Sequence, residues 1–178
     1  LVNIWIRQLQ KAIQSAFPDL VFRRPSFRTM LTYDIDIAWT YKNKGLIRNL
    51  GGLLKQPSFE RMKVLLGLSH DPSDCYDYLD KLHEKCHATI IYFFLIASKR
   101  SVYDKNIPPS HSGMRKLISR HAEKYTIGLH PSWKSNEHES LLREEMQEME
   151  SIIGKKTMHS RQHYLRFQLP DTYRKLLA

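Results

Sequence analysis

The sequence predicts an α/β fold, a mainly parallel sheet flanked by helices. Three observations carry that expectation. Strand-like apolar runs alternate with capped helical segments along the chain. One run, residues 88–96 (ATIIYFFLI), is almost unbroken in its apolar character, as a strand buried on both faces of a parallel sheet requires. Polar clusters follow the strand-like runs, and in parallel α/β folds ligands sit beyond the C-terminal strand ends.

Residues 2–17 read as an amphipathic helix closed by Pro18, and residues 29–33 (TMLTY) as a short strand ending in Asp34-Ile35-Asp36. Residues 39–68 mix basic, apolar and glycine positions and read as a helical insertion near the mouth of a site. Lys42, Lys44, Arg48 and Lys55 would give that rim a positive field suited to an anionic glycan. Asp71-Pro72-Ser73-Asp74 reads as a helix start, with Tyr76, Leu79, Leu82 and Cys86 at helical spacing behind it. The buried strand is expected at 89–96. A polar loop follows, in which Tyr103-Asp104-Lys105-Asn106 is either a surface turn or a substrate contact.

Met114, Leu117, Ile118 and Ala122 mark the next helix. Residues 125–129 (YTIGL) form the next strand and deliver His130 at its end. Residues 136–153 read as a helix opened by the pair Asn136 and Glu139. Leu142, Met146, Met149 and Ile153 form its stripe, and Gly154 is its stop. Residues 157–162 are expected as a fourth strand and 169–177 as a final helix. Together these make one domain over residues 1–178.

The 178 residues, 42% hydrophobic and 26% charged, rule out wholesale disorder. The longest apolar run is too short to span a bilayer, so no integral membrane segment is expected. Residues 1–17 carry Arg7 and Lys11 and do not read as a signal peptide, which points to the cytoplasm. The chain opens on Leu and reads as an excised fragment. Cys75 and Cys86 read as reduced, half-buried thiols. A formal net charge of +10 favours polyanionic partners, but no Lys/Arg tract or nucleic-acid motif is present, so no nucleic acid is expected.

Three clusters carry chemistry. Asp34 and Asp36, two apart in extended structure, point the same way and repel unless a cation or a proton relieves them. A metal held by one, with the other accepting a proton, resolves that conflict; a capped turn is the plain alternative. His130 is a competent ligand for zinc, nickel or iron, or a structural histidine. In Ser160-Arg161-Gln162-His163-Tyr164, Arg161 suits a carboxylate and His163 suits a metal or a proton. Both also read as edge residues facing water. The other histidines, including His83 and His121, read as surface residues.

In this order, Thr32-Tyr33-Asp34-Ile35-Asp36, then Ile127-Gly128-Leu129-His130, then Arg161-Gln162-His163-Tyr164, the chain resembles the polysaccharide deacetylase (NodB-homology) family over residues 27–177. The likeness is to a bacterial branch with a Thr-x-Asp-x-Asp first motif. The resemblance implies an irregular (β/α) barrel, here incomplete, because the chain ends before the family's later strands and their general acid. It implies Asp34 as general base, Arg161 as the residue orienting that base, and Asp36 and His130 as metal ligands. Lys134 stands where the family has a second histidine, and His163 stands where it has proline. His163 is therefore expected to supply the missing ligand.

The implied cofactor is a divalent metal, zinc first, with nickel, cobalt or iron as alternatives. The implied activity is hydrolysis of an acyl group from a saccharide, by a water activated at the metal. A deacetylase-like domain that has lost catalysis and binds a glycan or a protein is the alternative, and Lys134 favours it.

Overall fold

The structure is a computed structural model that describes residues 1–23, 26–99 and 101–177. Its centre is a three-stranded parallel sheet in the order β1 (Met30–Ile35), β2 (Thr89–Ile96), β3 (Thr126–Pro131). The expected strands at 29–33, 89–96 and 125–129 are these three. Helices α1 (Val2–Ala16), α2 (Leu46–Lys55), α3 (Phe59–Leu65), α4 (Tyr76–His83), α5 (Ser112–Lys124), α6 (Glu139–Ile153) and α7 (Asp171–Leu177), with two short 3-10 turns at Lys134–Asn136 and His163–Leu165, complete the described elements. Residues 39–68 thus hold α2 and α3. No helix among the described residues is long and apolar enough to cross a membrane.

The register assigns each residue a face. Tyr33, Tyr92 and Ile127 share one row, and Ile35, Phe94 and Leu129 another. Their side chains meet Met114, Leu117 and Ile118 of α5 and Leu142, Met149 and Ile152 of α6, and this is the core. Of the expected α6 stripe, Leu142 and Met149 are buried and Met146 and Ile153 partly so, with Ile152 buried beside them, and Gly154 ends the helix at φ 70° as expected. Strand periodicity then turns Asp34, Phe93, Gly128 and His130 to the opposite face.

Several expectations are corrected. The fourth strand is reduced to one parallel bridge, Leu129 with Ser160, in which Leu129 N–H donates to the His159 carbonyl and Arg161 N–H to that of Leu129. Residues 157–162 therefore run beside β3 without extending the sheet. Asp71 caps no helix, because α4 starts at Tyr76. Its carboxylate instead takes the backbone N–H groups of Thr40, Tyr41, Lys42 and Ser73 and clamps the loop after β1.

Asn136 lies in a separate short turn (Lys134–Asn136), and α6 begins at Glu139 with no side-chain cap. α1 is helical as expected, but it buries none of its residues and leaves Trp5, Ile6 and Leu9 exposed. Cys75 and Cys86 are exposed rather than half-buried.

His83 and His121 are buried, not surface residues. His83 bridges the hydroxyls of Tyr33 (2.8 Å) and Tyr125 (3.2 Å). His121 packs its ring 4.6 Å from that of Tyr92.

Candidate functional site

Asn106 gathers the strand ends that form the site. Buried between β1 and β2, it donates from Nδ2 to the carbonyls of Ile35 (3.0 Å) and Leu95 (3.2 Å), and its Oδ1 accepts from Ala38 N–H and Ile107 N–H. All four side-chain bonds are made to backbone groups, so the chain leaving β1 is tied to the end of β2. That tie positions the turn carrying Asp36.

Asp34, Phe93 and Gly128 lie in one row across the sheet. Gly128 has no Cβ because one there would stand 2.5 Å from the Phe93 ring and 3.1 Å from the His159 carbonyl oxygen. The Phe93 ring occupies that space and supports the Arg161 guanidinium, whose carbon lies 4.4 Å from the ring centroid. From there Arg161 Nη1 reaches Asp34 Oδ1 at 2.8 Å.

Beyond that row stand Asp36, His130 and His163. The nearest ring nitrogen of His130, Nε2, is 3.1 Å from Asp36 Oδ1, and His163 Nε2 is 3.9 Å from the same oxygen. The two imidazoles meet at a centroid distance of 4.8 Å and 60°. One candidate ligand atom from each of the three residues lies within 4.8 Å of the others. Both histidines are buried, whereas Asp36 is about half exposed.

The remaining ring nitrogens have fixed partners. His130 Nδ1 donates to the Arg161 carbonyl, so the segment that brings Arg161 to Asp34 also sets the His130 ring. His163 Nδ1 lies 3.2 Å from Asp104 Oδ1, and Asp104 is 1% exposed. In both rings this leaves Nε2 turned towards Asp36; at His130 a cation would displace the proton that Nε2 donates to Asp36 Oδ1, and the fixed Nδ1 partners are what orient an imidazole ligand.

The electrostatics agree with the geometry. The His130 hydrogen bond holds the Asp36 carboxyl below its ordinary range, against the effect of burial. Burial opposes the charged form of His130, but the Asp36 hydrogen bond, the Arg161 carbonyl and the nearby carboxylates raise its pKa regardless.

All five residues singled out in the sequence, Asp34, Asp36, His130, Arg161 and His163, therefore meet at one end of the sheet. Lys134 is exposed in the turn Lys134–Asn136. The positive rim is only partly as expected, because Lys42 Nζ is paired with Asp74 at 3.1 Å.

Asp104 was missed as a site residue. It lies in the loop after β2 and is buried, so it is not the surface residue that a plain turn would make it. It takes Ser101 Oγ at 2.6 Å on Oδ2 and Trp133 N–H at 2.9 Å on Oδ1, the oxygen that also faces His163. A Ser-x-x-Asp spacing after a buried strand is the one local signal that pointed to a built turn. No family model, no curated protein and no solved structure matches this chain.

Proposed function

We propose that the chain is a metal-dependent deacetylase domain acting on an acylated saccharide, related to the polysaccharide deacetylases and built as part of an irregular (β/α) barrel. The observation that carries this reading is the trio Asp36, His130 and His163, each imidazole held through Nδ1 so that Nε2 faces the carboxylate. Two neutral imidazoles and a carboxylate are a donor set for zinc, and for nickel, cobalt or iron. His163 takes the role of the histidine that Lys134 replaces. A divalent cation held there would supply Lewis-acid polarisation of an acyl carbonyl and lower the pKa of water.

The chain's own residues supply the rest. Asp34 accepts the proton of the attacking water, because it is the carboxylate beside the trio that is not itself a ligand. Arg161 aims Asp34 through the 2.8 Å contact. Two exposed free thiols, Cys75 and Cys86, fit a reducing compartment, and we place the domain in the cytoplasm.

The test is twofold. Purified chain is stripped with chelator, reloaded with zinc, nickel, cobalt or iron, and its bound metal is counted. Acetate release from N-acetylglucosamine oligomers is then followed for each form. One equivalent of metal and metal-dependent acetate release are expected. Metal bound without acetate release would replace the enzyme by a binding domain, and absence of bound metal would end both readings of the trio.

A further inference from the structure

Beside the trio stands a wall of aromatic rings. Tyr103 and Trp133 stack with centroids 4.0 Å apart and planes at 17°. Tyr164 stands edge-on to both, at 5.6 Å and 5.3 Å, and its ring is 4.5 Å from that of His163. The Arg166 guanidinium carbon lies 4.0 Å from the Trp133 ring. Tyr103 already covers one indole face at that distance, so Arg166 covers the other. Arg166 is tied there by the Trp133 carbonyl at 2.9 Å and by Glu137. The stack thus runs Arg166, Trp133, Tyr103, and its open surface is the outer face of Tyr103 with the flank of Tyr164. These two rings are 43% and 57% exposed.

The wall is held at a fixed place relative to the trio. Tyr103 N–H and Asp104 N–H both donate to Ser101 Oγ, which donates in turn to Asp104. The other Asp104 oxygen takes Trp133 N–H and faces His163 Nδ1. One buried carboxylate therefore fixes the loop of Tyr103, the backbone of Trp133 and the ring of His163 together. Tyr164 and Leu165 adopt left-handed backbone, φ 57° and 53°, which side chains other than glycine seldom take. That turn swings the Tyr164 ring into the corner between Tyr103 and His163. Strain of this kind persists where the surroundings impose it, and here it shapes an exposed aromatic corner.

We propose that Tyr103 and Tyr164 form a stacking subsite for one pyranose ring of an oligosaccharide, the ring next to the one that reacts at the trio. The proposal rests on the saccharide-directed reading of the site and names how the saccharide is held. A pyranose with equatorial hydroxyls presents only C–H groups on its faces and its hydroxyls at the edge. It covers an open aromatic face while its polar rim stays wet, whereas a lipid chain needs a larger continuous apolar patch than two ring surfaces. The Arg166 charge is engaged by Glu137, so the wall itself asks for a neutral ring.

Binding of the β-1,4-linked N-acetylglucosamine tetramer to the full-length chain, kept metal-free with chelator, is measured by calorimetry. Tyr103→Leu and Tyr164→Leu are each expected to weaken binding by about tenfold or more, and Tyr103→Phe to stay within about twofold of the parent. Tyr103→Phe also guards against a leucine variant that merely fails to fold, since an unaltered phenyl face must preserve affinity. Equal affinity of parent and folded Tyr103→Leu overturns the proposal. So does a parent chain that ignores the tetramer, or one that binds a single-stranded oligonucleotide through Tyr103 instead. Metal is absent throughout, so the outcome is independent of hydrolysis. Tyr103-dependent binding without acetate release in the loaded protein would retain the subsite and remove the deacetylase.

Discussion

Arg161 Nη1 stands 2.8 Å from Asp34 Oδ1 although 127 positions separate the two residues. The contact is made possible by the intervening row of the sheet. Gly128 leaves room for Phe93, Phe93 supports the guanidinium, and the guanidinium meets the carboxylate of the neighbouring strand. With each partner about one-third exposed, the ion pair alone contributes little to stability, and its consequence lies in where it holds Asp34.

On the proposed function, replacing Asp34 by Asn removes the proton acceptor and leaves the trio intact. Acetate release should fall by about 10²–10⁴-fold while bound metal is unchanged. Arg161→Lys keeps the charge but not the planar group over Phe93, so it should also lower the rate and leave the melting temperature within a few degrees. Rates and metal content measured on the same preparations check both. Loss of metal in Asp34→Asn would make Asp34 a ligand and sink the assignment.

The glycine gives a test through packing. A Cβ at residue 128 would meet the Phe93 ring at 2.5 Å, a distance real side chains do not tolerate, with the His159 carbonyl close on the other side. Gly128→Ala should cost about 1–3 kcal/mol in urea unfolding, as overpacked positions do. It should also lower the rate, because the ring that moves is the one beneath Arg161. Unaltered stability and rate would show that Phe93 has free space and that the row does not position Arg161.

The proposed metal ligands can be tested apart from their surroundings. His163→Ala should abolish binding of zinc measured against a chromophoric chelator, and Lys134→Ala should leave it unchanged. Asp104→Asn retains an oxygen for His163 Nδ1 but loses the charge behind it. Its affinity should drop by about 10–100-fold, as it does when groups that orient a ligand are altered. Equal zinc affinity in His163→Ala and the parent would remove His163 from the site.

Much of this was legible in the sequence because it depended on period and order. The unbroken apolar run gave the central strand, and three polar clusters at strand ends gave the five residues that meet. What was hidden depended on contacts across the fold. Asp71-Pro72-Ser73-Asp74 has every local mark of a helix start, yet its carboxylate satisfies N–H groups thirty positions away, a use that no spacing rule reveals. Residues 157–162 had strand character, but the chain touches β3 only around Leu129 before turning away to place Arg161 and His163. Asp104 and Asn106 looked like loop polarity. Burial made them the two residues that organise the site, and burial is a property of the whole fold rather than of the loop.

The last prediction concerns the carboxyl behind the aromatic wall. Glu145, on α6, is 1% exposed; its Oε2 accepts Ser132 N–H at 2.9 Å, and its Oε1 is buried with no hydrogen-bond partner. Burial pushes its pKa up to about 7, helped by the charge of Asp104 and opposed by the hydrogen bonds from Ser132 and Ser135. In the unfolded chain it titrates near the ordinary value of about 4.3. The folded form therefore holds this proton more tightly. The stability linked to it is complete below about pH 4.3, declines as pH rises towards about 7, and is level above that. A shift of this size corresponds to about 2–4 kcal/mol. Glu145→Gln keeps the volume and an oxygen for Ser132 N–H but cannot ionise. Urea unfolding of both proteins at pH 5 and pH 8 checks the expectation, since titrations elsewhere in the chain cancel in the difference between them. The stability of the parent relative to Glu145→Gln should be lower at pH 8 than at pH 5 by that amount. A difference independent of pH would mean that Glu145 is ionised throughout and that α6 tolerates a buried charge beside Asp104.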